Sequence, residues 1–121
     1  MDRAKSILIV EDDHDVRGAL AALLEGEGYR VIEAQDGASA LDRLRSSLEF
    51  CLILLDLYMP GMNGWRFRDE QRRDPSIADI PVIVVSADST AREKAAAMGA
   101  VEAMVKPVDF DRLLQLVGAY C

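Results

Sequence analysis

Histidine occurs once and cysteine twice in this 121-residue chain. Zinc sites draw on clustered Cys and His, and nothing of that kind is present. Basic residues are outnumbered, 14 Lys and Arg against 21 Asp and Glu, for a net charge of −7. That balance argues against direct nucleic-acid binding and against an anionic membrane surface, both of which need a basic face. No apolar run approaches bilayer length. The N-terminal stretch MDRAKSILIVEDD carries an acid at once and only four apolar residues in a row, so it fits neither a signal peptide nor a membrane anchor. Linkers rich in Pro, Gly or Ser are missing too, as are repeats, so residues 1–121 are expected to form one domain.

The two cysteines are placed unlike a disulfide framework. Cys51 opens the apolar run CLILL and is expected to be a buried small hydrophobe, with Cys121 frayed at the end of the sequence. This usage points to a reducing, cytoplasmic setting.

What the chain has in abundance is hydrocarbon, half of all residues, enough for a core without staples. It is organised as short apolar runs alternating with longer amphipathic ones. The runs are Ile7–Val10, Arg30–Ala34, Cys51–Leu55, Pro81–Val85 and Val101–Val105. The first, third and fourth are continuous, as strands covered on both faces should be; the second and fifth are mixed, as edges are. Between them, Val16, Leu20, Leu23 and Leu24 repeat at helical spacing before Gly26 and Gly28. Ala38, Leu41, Leu44 and Leu48 do the same after Gly37. A helix is expected over Trp65–Arg73, an Ala-rich one over Ser89–Met98, and a last one with the stripe Phe110, Leu113, Leu114, Val117 behind an Asp109 cap. Five β-α units imply an α/β fold, a doubly wound parallel sheet with helices on both faces.

Ligands of such sheets bind beyond the carboxyl ends of the strands. The residues there are Glu11-Asp12-Asp13, Asp56, Ser86 and Lys106-Pro107. Close carboxylates repel one another unless a cation joins them. An all-oxygen set with room for water suits Mg2+. A carboxylate nucleophile, a divalent ion, a lysine and a hydroxyl together make a phosphoryl site based on positioning and electrostatics. A nucleotide- or flavin-binding reading would require a glycine-rich loop after the first strand; this chain has Glu-Asp-Asp-His-Asp there. Asp13 is expected to cap the first helix, and His14 to be an exposed first-turn residue. Trp65 is expected to pack at the start of the third helix, and Arg66, Arg68, Arg72 and Arg73 to form a solvated face.

Four motifs carry a resemblance to a known family: Ile7-Leu-Ile-Val-Glu-Asp-Asp13, Leu55-Asp-Leu-Tyr-Met-Pro-Gly-Met-Asn-Gly64, Val84-Val-Ser-Ala87 and Gly99-Ala-Val-Glu-Ala-Met-Val-Lys-Pro107. They resemble the CheY-like receiver domain of bacterial response regulators and run from end to end of the chain. The resemblance implies a flavodoxin-like (βα)5 fold with strand order 2-1-3-4-5. It implies a phosphoacceptor rather than an enzyme, with Asp56 taking a phosphoryl group from a sensor histidine kinase or a histidine phosphotransfer protein, then signalling by a change of shape to a downstream protein. It implies Mg2+ held by Asp12 and Asp56, by Glu11 through water and by the Tyr58 carbonyl. Ser86 and Lys106 would hold the phosphoryl oxygens, and Lys106-Pro107 would be a cis peptide.

The sequence departs from the family's pattern at Ala103, where a Tyr or Phe usually precedes the Lys of Lys-Pro by three. With no ring to turn, output is expected through the loop Ala87–Thr90 or another face; a module that works without phosphorylation is the alternative. Tyr58 and Asp88, two residues beyond Asp56 and Ser86, are expected to flank the water that hydrolyses the acyl phosphate.

Overall fold

A computed structural model describes residues 5–121; residues 1–4, part of the N-terminal stretch weighed above, lie outside it. Five strands alternate with five helices: β1 (Ser6–Val10), α1 (His14–Gly26), β2 (Arg30–Ala34), α2 (Gly37–Leu44), β3 (Phe50–Leu55), α3 (Gly64–Arg73), β4 (Val82–Ser86), α4 (Ala91–Ala97), β5 (Glu102–Val105) and α5 (Phe110–Tyr120). The strands form one parallel sheet in the order β2-β1-β3-β4-β5, which is the expected flavodoxin-like topology.

The continuous runs are the central strands because each of their residues must face a helix layer. Side chains alternate across a strand, so Leu8 and Val10 of β1 point to one layer and Ile7 and Ile9 to the other. The first layer joins Ile53, Leu55 and Val84 to Ala40, Leu41 and Leu44 of α2, Phe67 of α3, and Ala91 and Ala95 of α4. The second joins Leu52, Leu54 and Ile83 to Leu20 and Leu24 of α1 and to Leu113 and Val117 of α5. The rim at the carboxyl ends of the strands thus rests on two apolar layers.

Caps set the helix starts. The side chains of Asp13, Asp36, Asn63 and Asp109 each accept a bond from a first-turn N–H of α1, α2, α3 and α5. Asp13 and Asp109 were expected in that role. The second helix differs from the reading above. It stops at Leu44, where Ser46 Oγ donates to the Arg43 carbonyl, so Leu48 is exposed. Its buried stripe contains Ala40 and not Ala38.

The cysteines also differ from expectation. Cys51 and Cys121 form a disulfide, with Cα atoms 5.6 Å apart. The end of α5 packs back beside the start of β3, a tertiary contact 70 residues long in sequence that spacing alone does not reveal. Cysteine usage therefore lends no support to a reducing compartment. Among the described residues, no helix is long and apolar enough to cross a membrane.

Candidate functional site

The strand order places the chemistry in a row. Glu11 follows β1, Asp56 follows β3, Ser86 ends β4 and Lys106 follows β5. Each is fixed by the backbone ladder at the point where it leaves the sheet. Glu11 N donates to the Ala34 carbonyl at 3.1 Å, Asp56 N to the Val10 carbonyl at 3.0 Å, and Lys106 N to the Ser86 carbonyl at 2.8 Å. Side chains from three of these segments, those of Glu11, Asp56 and Lys106, thereby converge with little freedom.

The loop after β3 approaches its own helix closely. Gly64 N donates to the Leu57 carbonyl at 2.9 Å. A Cβ on Gly64 would lie 2.8 Å from the Asp56 carbonyl oxygen and from Leu57 Cα. Only glycine lets α3 begin directly against the backbone that carries Asp56.

Glu11, Asp12 and Asp56 each offer a carboxylate oxygen within 4.8 Å of the others. Glu11 and Asp56 are buried, while Asp12 faces solvent. Lys106 Nζ donates to Glu11 Oε1 at 2.5 Å and lies 3.7 Å from Asp56 Oδ2. Burial raises the Glu11 pKa above the usual carboxylate range, partly opposed by its bond from Lys106, while neighbouring Asp56 adds to the rise. Burial acts to lower the Lys106 pKa, but the bond to Glu11 and the charge of Asp56 outweigh it and the net shift is upward. Three carboxylates against one ammonium leave an excess of negative charge. Oxygen donors with one open, solvent-facing side are what a hard divalent cation such as Mg2+ takes. The donor set fits that ion.

Ser86 is fully buried, and its Oγ accepts from Asp88 N at 3.2 Å. Tyr58 N donates to Asp56 Oδ1 at 3.4 Å, so the Tyr58 backbone lies against the acid cluster. The Lys106–Pro107 peptide is cis, as the resemblance implied. Ala103 is buried on β5. His14 is exposed in the first turn of α1, as expected, and Trp65 packs partly buried at the start of α3, edge-on to Tyr58.

Three features were not legible beforehand. Arg17 sends Nη1 to the Glu11 carbonyl at 2.8 Å and Nε to Glu33 at 3.2 Å, bracing the acid loop from α1. Lys94 of α4 reaches both Tyr58 and Asp88. Arg68 is buried rather than part of a solvated face. Its guanidinium donates to the Met98 and Gly99 carbonyls at 2.9 and 3.0 Å and to Gln71 Oε1 at 2.7 Å. Arg66, Arg72 and Arg73 are exposed.

The sequence profile of the response regulator receiver domain matches residues 7–118. The chain belongs to the response regulator receiver family. This receiver is 32% identical over 115 residues to protein PilH of Pseudomonas aeruginosa, covering 93% of this chain and 94% of PilH. It is 39% identical over 110 residues to the transcriptional regulatory protein ZraR of Klebsiella oxytoca, 88% of this chain but 24% of ZraR. It thus spans the whole of some relatives and a minor part of others. Among solved structures it superposes with a TM-score of 0.84 on the response regulator TrrA of Thermotoga maritima, a complex with Mg2+ and BeF, at 32% identity, covering 97% of this chain and 99% of TrrA. As a receiver it is classed with phosphoacceptor domains of two-component signalling rather than with turnover enzymes.

Proposed function

We propose that this receiver accepts a phosphoryl group on Asp56 from the phosphohistidine of a sensor kinase or phosphotransfer protein, and signals to a protein partner. The observation that carries the reading is the meeting of Glu11, Asp12, Asp56 and Lys106 at one rim. The cytoplasm is the setting that goes with such a donor.

In this reading an Asp56 Oδ attacks phosphorus in line while the donor nitrogen leaves with the electron pair of its bond. Ser86 Oγ–H and the Lys106 ammonium lie on the flanks, where they donate to the phosphoryl oxygens. Asp12 and Asp56 would hold Mg2+ directly, with Glu11 through water and the Tyr58 carbonyl completing the protein's share. The ion would neutralise charge building on the transferring group. That TrrA was solved with Mg2+ and BeF supports carrying this donor set over to the matching residues.

Phosphorylation with a small phosphodonor such as phosphoramidate tests the reading. With Mg2+ present, intact-mass spectrometry is expected to show one added phosphoryl group that chelation prevents and Asp56→Asn abolishes. An unmodified wild-type chain under those conditions, with cognate-type donors also inert, would favour a module that works by binding alone.

A further inference from the structure

The strand β3 carries a chemically distinctive group at each end. Asp56 follows its last residue, and Cys51 is its second. Cys51 is bonded to Cys121, which follows directly on α5. The disulfide therefore lies at the end of β3 opposite to the acid cluster. Both cysteines are only partly buried, at the margin of the second apolar layer. They share the wall of a surface cavity of about 510 Å3 with Lys5, Asp79, Pro81 and Tyr120, a space large enough to admit a small thiol.

The burial along α5 shows what the bond fixes. Leu113 and Val117 are fully buried and seat the helix on the sheet. After Val117 the burial stops, and Gly118, Ala119 and Tyr120 are exposed. Glycine is a poor helix former. The last turn closes with Cys121 N donating to the Val117 carbonyl at 2.9 Å, and the same residue carries the covalent tether. An exposed turn with a glycine in it depends on that tether for its helical form.

We propose that the Cys51–Cys121 bond is a thiol-exchange site for dithiol reductants, a second input to this receiver that frees the last turn of α5 and leaves the phosphorylation site unchanged. This rests on the phosphoacceptor reading, because a phosphohistidine donor places the chain among cytoplasmic thiols, where an accessible disulfide is exchanged and does not persist as a permanent staple. In the first step a thiolate of the dithiol bonds to one cysteine sulfur as the S–S bond breaks. The other cysteine leaves as a thiolate with the electron pair and takes up a proton. The second thiol of the dithiol then displaces the remaining cysteine in the same way. The receiver gains two electrons and two protons, and the dithiol becomes a cyclic disulfide. Lys5 on the cavity wall favours a leaving thiolate by its charge, and Asp79 opposes it. Between the two ends of β3, Leu52 to Leu55 are buried in packed layers, so the loss of the bond is not passed along the strand to Asp56.

The test compares the air-oxidised wild type with Cys51→Ala and Cys121→Ser. Millimolar dithiothreitol is added without denaturant, thiols are trapped with iodoacetamide, and intact mass counts them. The wild type is expected to take up an alkyl group on both of its cysteines only after reduction, and to regain the disulfide with glutathione disulfide. Amide hydrogen exchange at residues 118–121 is expected to become at least about tenfold faster on reduction, with Leu113 to Val117 still protected. The urea midpoint is expected to fall by about 1 M or more. Both variants should match the reduced wild type with or without dithiothreitol; Cys121→Ser, after the last turn of α5, serves if Cys51→Ala fails to fold. Phosphoramidate with Mg2+ is expected to label oxidised and reduced chains at equal rates. Free thiols in the air-oxidised wild type, a bond that dithiothreitol opens only in urea, unchanged exchange at residues 118–121, or a labelling rate that shifts several-fold on reduction each overturns the proposal. A chain that exchanges thiols as expected but is never labelled in either form overturns the phosphoacceptor reading alone.

Discussion

Leu55 and Asp56 are chain neighbours with nearly the same burial, 0% and 7% exposed, yet their burial has opposite consequences. Along the middle of β3, Leu52 to Leu55 lose water to hydrocarbon, and each such side chain contributes about 1.5–3 kcal/mol. One residue later the chain buries a carboxylate beside a second one, Glu11, whose raised pKa records the cost. That cost is offset by Lys106, by backbone N–H groups and by whatever cation joins the cluster. The strand interiors supply the stability; the strand ends carry the groups that destabilise the fold when left unpaired. A site of this kind requires rigid, dry layers beneath it.

The sharpest way to break the contrast is to move an acid one residue inward. Leu55→Asp places a charge among Val84, Phe67 and their neighbours with no partner. The expected loss is on the order of 5 kcal/mol, comparable to a small domain's whole stability. Far-UV circular dichroism should show a chain largely unfolded at room temperature. Next in size is the effect of metal on the strand ends. Saturating Mg2+ at a hundred times its dissociation constant is expected to add about 2.7 kcal/mol, read as a shift in the urea midpoint. Asp12→Asn should shrink that shift and leave stability without the ion nearly unchanged, because Asp12 is exposed. Gly64→Ala tests the seam between the two regions. Its Cβ would press on backbone that cannot yield like a side chain, for a cost of about 1–3 kcal/mol and a slower phosphorylation of Asp56.

The smallest expected effect concerns pH. Bonds from Lys94 first, then from Tyr58 and Thr90, hold the Asp88 pKa well below the usual carboxylate range. The bond to Asp88 likewise raises that of Lys94. A depressed acid contributes its stabilisation above its unfolded pKa and loses it only as pH falls through the folded value. A raised lysine keeps its contribution until pH climbs past the ordinary lysine range. The contacts among Tyr58, Asp88 and Lys94 should therefore be unchanged between pH 5 and pH 8, on ordinary carboxylate and lysine values. Trp65 fluorescence across that window checks this; a transition inside it would contradict the pairing.

How much of this could be read from the sequence depended on whether a property is local. Strand runs, the Asp13 and Asp109 caps and the acids and lysine at strand ends are written in consecutive residues and in motifs, and they were legible. The end of the second helix was missed because Ser46 ends it with a local bond to the Arg43 carbonyl that a hydrophobic stripe does not register. Arg68 and Arg72 look alike on paper. Only packing against α4 buries one of them, because its guanidinium caps the Met98 and Gly99 carbonyls. Lys106 stood out because it follows a strand inside a motif. Lys94, in an Ala-rich helix, carried no such signal, and its partners lie 36 and 6 residues away. The cysteine pair was misread for the same reason.

The buried guanidinium of Arg68 constrains how the molecule can bend. Arg68 and Arg72 both grip the Met98 carbonyl, and Arg68 the next one as well, so the trailing end of α4 is bolted to α3. The leading end has no side-chain cap and is held by the buried Ala91, by the bonds of Lys94 and by the Asp88 turn. Any displacement of α4 would then be expected to swing about Met98, where these bonds hold it. The helix would then act as a short lever with its greatest travel toward Thr90, on the Asp88 turn, and its least where it joins β5.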